Sequence, residues 1–453
     1  MKSTPIKRSC RVLYAAMALL LCSLPSFAQT VNDADLHEIV TKLADRLVAV
    51  YPFPEISAKY KEDLLKNEAA GHYNNLTEAA LAAKLTEDMR KTHKDVHLRV
   101  SRSTAPRAAG GRAPSEGNPD QKANYGFKRV EVDGATSTAY VEIPGPFLVS
   151  QEAFEIAAAC MNMSAYSKYV ILDVRHNPGG SGQMGRFLAS YFYTPGREQF
   201  YLNGFYKDRK RDEQEWTYAY TPGKHMPDAK VYILTGRGTG SASEGFAYAM
   251  QKLKRATIVG DTSAGAGIAG SNVSLKNNLS AFIPVKMVTG PNDNVGWEGT
   301  GVVPDVEIGK DDALAATRKL ILQDILKTST DTVQKAAAQW MIDNDGITAN
   351  AAVNMKSKYG ALVGKYTSNI TVTYEKGNLL WNRVEPGKPV ESYILKEVKP
   401  DVLVITDLNA NIGPNVSRVY INRDAQGKIE SLTRKTLLGN GNISGAGMPL
   451  KKI

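Results

Sequence analysis

Tyr169-Val170-Ile171-Leu172-Asp173-Val174-Arg175-His176-Asn177-Pro178-Gly179-Gly180 decides how this chain is read. The apolar opening is too short for a helix and does not alternate, as expected of a parallel strand covered on both faces. It ends in a glycine pair, and a helical pattern follows from Met184 to Phe192. Glycines let a backbone turn with its amides outward, and such amides can stabilise an oxyanion. A plain strand–helix turn explains the same residues. A phosphate loop is poorly supported, because no G-x-x-x-x-G-K-[ST] follows.

Working outward, Thr138 to Ile143 alternates like a strand and Gln151 to Cys160 reads as a helix. Lys230 to Leu234 is a second buried strand, Ser241 to Leu253 a helix, and Ala256 to Gly260 a third strand. This order predicts βαβ units with active loops at the carboxyl ends of the strands. Toward the N-terminus, Leu36, Ile39, Val40, Leu43 and Leu47 recur at helical spacing, and Thr77-Glu78-Ala79 opens another helical stretch. Residues 101–123 are rich in Ser, Pro, Gly and Arg and read as a flexible linker. Helices are expected after Asp311 and around Val333 to Met341. From about Leu362 the period drops to two, with hairpin turns at Tyr374-Glu375-Lys376-Gly377 and Asp424-Ala425-Gln426-Gly427.

The expected organisation is therefore a signal peptide at 1–28, a helical bundle at 29–100 and the linker at 101–123. An α/β core at 124–310, connecting helices at 311–345 and a small antiparallel β domain at 346–453 follow. The leader rests on Lys2, Lys7, Arg8 and Arg11, the apolar run Val12 to Leu24, and Pro25-Ser26-Phe27-Ala28 before Gln29. That apolar run is shorter than the roughly 20 residues a membrane span needs. Export across the inner membrane, to a periplasmic or extracellular site, is expected.

The chain has 453 residues with 56 Lys and Arg against 46 Asp and Glu, a formal charge of +10. Cleavage after Ala28 would remove four basic residues and no acid, leaving +6. The basic residues are spread along the chain without a zinc, RNP-type or basic-helix motif, so no nucleic-acid partner is expected. Cys10 and Cys22 would leave with the leader. Cys160 lies in the apolar run Ala157 to Met161 and reads as core. His93 and His97 are spaced as H-x-x-x-H, but no third ligand is evident, so no metal or cofactor is expected.

Two further segments carry chemistry. Gly240-Ser241-Ala242-Ser243-Glu244-Gly245 places a serine at a helix start, where the helix end helps bear negative charge. Ser241-x-x-Glu244 is equally a capping box, and the pattern alone leaves both open. Trp297-Glu298-Gly299-Thr300-Gly301-Val302-Val303-Pro304-Asp305 is a turn-rich loop with an acid beside an aromatic.

Taken in order, these segments and Arg255-Ala256-Thr257-Ile258-Val259-Gly260-Asp261-Thr262 resemble the tail-specific, or C-terminal processing, serine peptidase family. The helical stretch from Tyr51-Pro52-Phe53-Pro54-Glu55 to Asp95-Val96-His97-Leu98 is similar to the bundle of its retinoid-binding-protein-like branch. The resemblance spans roughly residues 35 to 310 and implies a crotonase-like ββα core. It implies Ser241 as nucleophile, with an oxyanion hole from the Gly179, Gly180 and Ala242 amides. Many members carry a lysine base 25 residues after the serine, and here that position is Ala266. The tricorn-like branch instead uses a histidine and a glutamate at the positions of His97 and Glu298. A serine hydroxyl is a weak nucleophile that needs a base, and the base needs an orienting group. The expected function is peptide-bond hydrolysis on a peptide or unfolded protein. The alternative is a non-catalytic peptide- or lipid-binding module on the same fold.

Overall fold

The computed structural model describes residues 30–102, 118–207, 211–292, 294–345, 355–407, 417–444 and 448–453. The expected leader and most of the expected linker lie outside these residues. The chain divides into two compact units. Elements are numbered along the chain.

The first unit takes Met1–Pro114, Phe205–Asp212 and Ile268–Met287. Helix α1 (Asp33–Val50) starts at Asn32, whose side chain accepts from the Asp35 amide. Its buried face is Leu36, Ile39, Val40, Leu43 and Leu47, the spacing seen in sequence. Helix α2 (Pro54–Ala69) begins with proline in its first turn, and α3 (Glu78–Thr92) is capped by Thr77. Strand β1 (Arg99–Arg102) pairs antiparallel with β10 (Leu279–Thr289), and β9 (Ile268–Ser274) pairs with the other side of β10. Leu279, Ala281 and Ile283 alternate along β10 and bury with Leu43, Leu47, Leu81 and Leu85. The expected core at 124–310 is thus interrupted: the 268–287 hairpin belongs with the helices, because its apolar face is buried there. Strand β1 also occupies the start of the expected linker.

The second unit takes Ser115–Gly204, Glu213–Gly267 and Val288–Ile453. A short helix, α4 (Pro119–Lys122), opens it. Its sheet runs in the order β11 (Val306–Glu307), β8 (Ala256–Gly260), β7 (Lys230–Thr235), β4 (Tyr169–Asp173), β3 (Thr138–Glu142), β2 (Arg129–Asp133). All neighbours are parallel except the edge pair β2 and β3. Val170, Leu172 and Val174 pack with helices α5 (Gln151–Ser164), α6 (Gly182–Ser190) and α7 (Ala242–Lys252). Tyr169 and Ile171 point the other way, onto α8 (Ala313–Thr328) and α9 (Thr332–Asp345). Both faces are covered, which is why the strand reads as one apolar run. Strands β5 (Phe200–Tyr206) and β6 (Arg211–Trp216) carry the chain across between units.

After α10 (Met355–Tyr359) come eight antiparallel strands in sequence order: β12 (Gly364–Tyr366), β13 (Ile370–Glu375), β14 (Asn378–Arg383), β15 (Glu391–Lys399), β16 (Val402–Thr406), β17 (Ser417–Arg423), β18 (Ile429–Thr436) and β19 (Leu450–Lys451). The turn between β13 and β14 has Lys376 at φ 49° and Gly377 at φ 86°, the paired positive angles of a two-residue hairpin. The last residues then return to the first strand. Tyr366 bridges Lys452, Thr367 N–H donates to Lys451 O at 3.0 Å, and Ile453 N–H to Lys365 O at 2.9 Å. The sheet is therefore a closed barrel around Leu362, Tyr366, Val372, Leu379, Trp381, Leu403, Val419 and Leu432. It is not a separate unit, as the sequence pattern implied. Ala135, Ala337, Trp340, Val404 and Leu437 form one cluster joining it to the core. The buried Arg418 guanidinium donates there to Trp340 O at 2.6 Å and Asn344 Oδ1 at 2.6 Å, and stacks on the Trp340 ring.

Candidate active site

The loop after β4 is fixed from behind. Asp173 is 3% exposed and takes Arg175 Nε at 2.9 Å, Arg175 Nη2 at 2.6 Å and Tyr140 Oη at 2.7 Å. Burial opposes its charge, but these donors prevail and hold the carboxyl below its ordinary range. Asn177 is fully buried and is the hub of the turn. Its Nδ2 donates to Ile143 O at 3.1 Å and its Oδ1 accepts from Gly179 N–H at 2.9 Å. Its main-chain oxygen accepts from Gly240 N–H at 3.0 Å and Ser243 Oγ at 2.8 Å. Two strand-end loops are thereby tied together.

Gly179 and Gly180 have φ of 110° and 118°, angles that glycine alone adopts without strain. They play different parts. The Gly179 N–H is committed to Asn177, which corrects the expectation that it serves an oxyanion. What its position requires is closeness: a Cβ there would lie 2.6 Å from Gly240 O and 2.7 Å from Ser241 Cβ. Gly180 bridges Phe147 through bonds made by its neighbours, Phe147 N–H to Gly179 O at 2.7 Å and Ser181 N–H to Phe147 O at 2.8 Å. Its own N–H stays outside that ladder, on an exposed residue.

Ser241 follows β7 and precedes α7 with φ 51° and ψ −117°. An ordinary N-cap is extended, so this is not the plain cap its sequence permits. Such a conformation costs on the order of 1–3 kcal/mol and persists where the surroundings enforce it. A serine lifted on a sharp strand-to-helix turn is the geometry of a nucleophile elbow. Ser241 and Glu244 also stand as capping-box partners, with Ser241 N–H donating to Glu244 Oε2 at 2.7 Å. Ala242 opens the helix, where the first amides lack intrahelical acceptors.

Glu244 is fully buried, and sequence reasoning saw it only as a cap partner. Besides the Ser241 amide, it accepts from Ser263 Oγ, from Gly265 N–H at 2.7 Å and from Ala266 N–H at 2.9 Å. Burial pushes its carboxyl up, while the four donors pull the other way. The next amide, Gly267 N–H, donates to Glu298 Oε2 at 2.6 Å. Adjacent amides of one loop thus bind the carboxylate under Ser241 and the carboxylate of Glu298. Trp297, beside Glu298, is buried against Tyr248 with ring centroids 4.9 Å apart. Ser241, Gly180, Ala242 and Glu298 all belong to the second unit.

His97 belongs to the first unit. Asp95, 1% exposed, accepts from the His97 and Leu98 amides at 2.8 and 3.1 Å and from Tyr51 Oη at 2.9 Å. The imidazole lies beside Phe282, and its Nδ1 is buried with no hydrogen-bond partner among the described residues. Desolvation lowers its pKa below the usual 6.5, against the pull of Asp95. His93 terminates α3 in an extended conformation, so His93 and His97 do not share a helical turn. His176 is exposed. Lys276 is held by Asp35 at 2.9 Å and by Glu38. Among the described residues no three His, Cys, Asp or Glu side chains group as metal ligands. No helix there is long and apolar enough to cross a membrane.

Residues 137–308 match the model of peptidase family S41. Over these residues the core is similar to the peptidases of family S41. Residues 32–128 match the N-terminal domain found with that family in eukaryotic IRBP, so the S41 domain and its preceding helices are matched in order. A probable CtpA-like serine protease of Staphylococcus epidermidis is 30% identical over 142 residues, 31% of this chain and 28% of that protein. The carboxy-terminal processing protease CtpB of Bacillus subtilis is 28% identical over 174 residues, 38% of this chain and 34% of that one. The chain thus matches only about a third of these relatives' length. The photosystem II D1 C-terminal processing protease superposes with a TM-score of 0.41 at 15% identity, over 61% of this chain and 94% of that one.

Proposed function

We propose that this chain is an exported C-terminal processing peptidase in which Ser241 attacks the scissile carbonyl. Its S41 domain is read as a crotonase-like ββα core, entered by peptide or unfolded protein tails. The Ser241 Oγ bonds to the carbonyl carbon while its proton passes to the His97 imidazole. The carbonyl oxygen gains the negative charge and is met by the Gly180 and Ala242 N–H groups. Glu298 orients the imidazole and balances its charge. Collapse of the intermediate expels the amine with the proton from His97, and water then hydrolyses the acyl-serine through the same groups. His97, kept below the usual 6.5 by desolvation, is neutral and able to accept a proton near pH 7. Ala266 stands where a lysine base would, so the histidine takes that role. The leader expected at 1–28 accounts for the export, and the similarity to C-terminal processing proteases supports the substrate class.

The observation that carries this reading is the strained turn at Ser241 packed directly on Gly179. A fluorophosphonate probe tests it. Wild type should label at Ser241 and Ser241→Ala should not. Equal labelling of the two, or none in either, would leave the fold as a binding module only.

A further inference from the structure

An open groove of about 270 Å³ lies at the end of the sheet opposite Ser241, lined by Lys168, Tyr169, Asp228, Lys230, Gln334 and the 328–330 turn. We infer that it is a second binding site, for a small zwitterion of the size of a free amino acid or dipeptide. The volume sits near the lower bound of ligand pockets, roughly 300 Å³.

The walls are set by internal bonds. Tyr169 Oη donates to Asp324 Oδ2 at 2.8 Å, and the Lys230 ammonium pairs with the same oxygen. Ser329 Oγ donates to Gln334 Oε1 at 2.8 Å, and Gln334 Nε2 to Thr136 O at 2.9 Å. Tyr169 and Gln334 are each 5% exposed, so the frame is already formed and little ordering is left for a ligand to impose.

The groove also carries two exposed charges of opposite sign, Lys168 and Asp228. Among the described residues the Lys168 ammonium has no ion-pair partner, and neither has the Asp228 carboxylate. Arg255, the guanidinium that feels Asp228, is committed to the carbonyls of Phe192, Met226, Pro227 and Ala229. A ligand with a carboxylate and an ammonium satisfies both side chains. An anion alone would meet Asp228 with like charge, and a cation alone would meet Lys168. The lining is hydroxyls, charges and a single ring, so it suits no acyl chain. Lys168 and Lys230 stand at the starts of β4 and β7, whose other ends carry the Gly179–Gly180 turn and Ser241.

Isothermal titration calorimetry of the full chain with glycylglycine tests the assignment. Binding should weaken about tenfold or more in Lys168→Ala and in Asp228→Asn, the loss of one charged contact in each. N-acetylglycine and glycinamide, each missing one charge, should lose as much against wild type. Absence of glycylglycine binding, or affinity unchanged in both variants, overturns the site. So does inorganic phosphate binding that is indifferent to Asp228→Asn, which would mark a simple anion site. Binding that disappears only when Ser241 is blocked by fluorophosphonate would place the dipeptide in the peptidase site and also overturn it.

Discussion

Gly179→Ala is the sharpest test of how Ser241 is held. The new Cβ would sit 2.6 Å from Gly240 O, 2.7 Å from Ser241 Cβ and 3.1 Å from Ala242 N. Carbon contacts settle near 3.5–4.0 Å, so the Ser241 turn must retreat by about 0.8 Å or more. A misplacement of about 1 Å at a reacting group costs on the order of 100-fold in rate. The φ of 110° adds strain of about 1–3 kcal/mol in stability. At about 2–4 °C per kcal/mol, the melting temperature should fall by several degrees. Gly196→Ala is the control, because Gly196 has φ 74° but nothing within 4 Å of its would-be Cβ. It shares the backbone strain without the clash. The assay is the rate of fluorophosphonate labelling, with kcat/KM on a reporter peptide and a thermal melt of each variant. Gly179→Ala should lose about 100-fold in labelling while Gly196→Ala stays near wild type. Equal rates in all three proteins would refute the claim that this contact sets the nucleophile.

His97→Ala should abolish turnover, whereas Lys276→Ala should not, since Lys276 is occupied by Asp35 and Glu38; the opposite pair of kcat values would favour a lysine base. Because burial lowers the His97 pKa, the acid limb of kcat/KM should have its midpoint below 6.5, and a midpoint above it would contradict the desolvated setting. The unfolded chain binds that proton more tightly, so stability should rise with pH through the window just below 6.5, and His97→Gln should flatten the rise in denaturant titrations. Glu244→Gln puts an NH2 against groups that all donate, and should cost about 3 kcal/mol or more in urea melts and slow labelling of Ser241; unchanged stability would show that the loop does not depend on this carboxylate. Arg418→Ala strands Asn344 and Asp343 at the barrel joint and should cost roughly 3–5 kcal/mol by calorimetry, with kcat unaltered below the melt.

Much of this architecture was legible because burial leaves a period in the sequence. The 169–174 run reads as a doubly covered strand, and Leu36 to Leu47 as a helix face, since each pattern follows from which sides are buried. The 268–287 hairpin packs with the helices of the first unit, which the sequence does not announce: alternation of Leu279, Ala281 and Ile283 marks a buried face without naming what buries it. The site divides similarly. Ser241, Gly180, Ala242 and Glu298 stand on motifs, but Ser-x-x-Glu writes a cap and an elbow in the same letters, and only the backbone angles separate them. Gly179 and Gly180 look interchangeable until the Asn177 side chain takes one amide. Glu244, with four donors, was hidden because three of them lie about 20 residues away. His93 and His97, four apart in sequence, do not share a helical turn, because the helix stops at His93 and Asp95 accepts from the amides that follow.

The closure of the C-terminal sheet has a consequence in time. Seven of its pairings join neighbours along the chain, and such hairpins form on the order of microseconds. The eighth joins Tyr366 to Lys452, across nearly the whole module. Until that seam is sewn, β12 and β19 each present a bare edge, open to pairing with another chain. Long-range contacts form late, because the entropy of closing so large a loop is lost before any contact rewards it. The few residues from Leu450 to Ile453 therefore govern how long the folding intermediate remains adhesive, although they contribute little to the finished core.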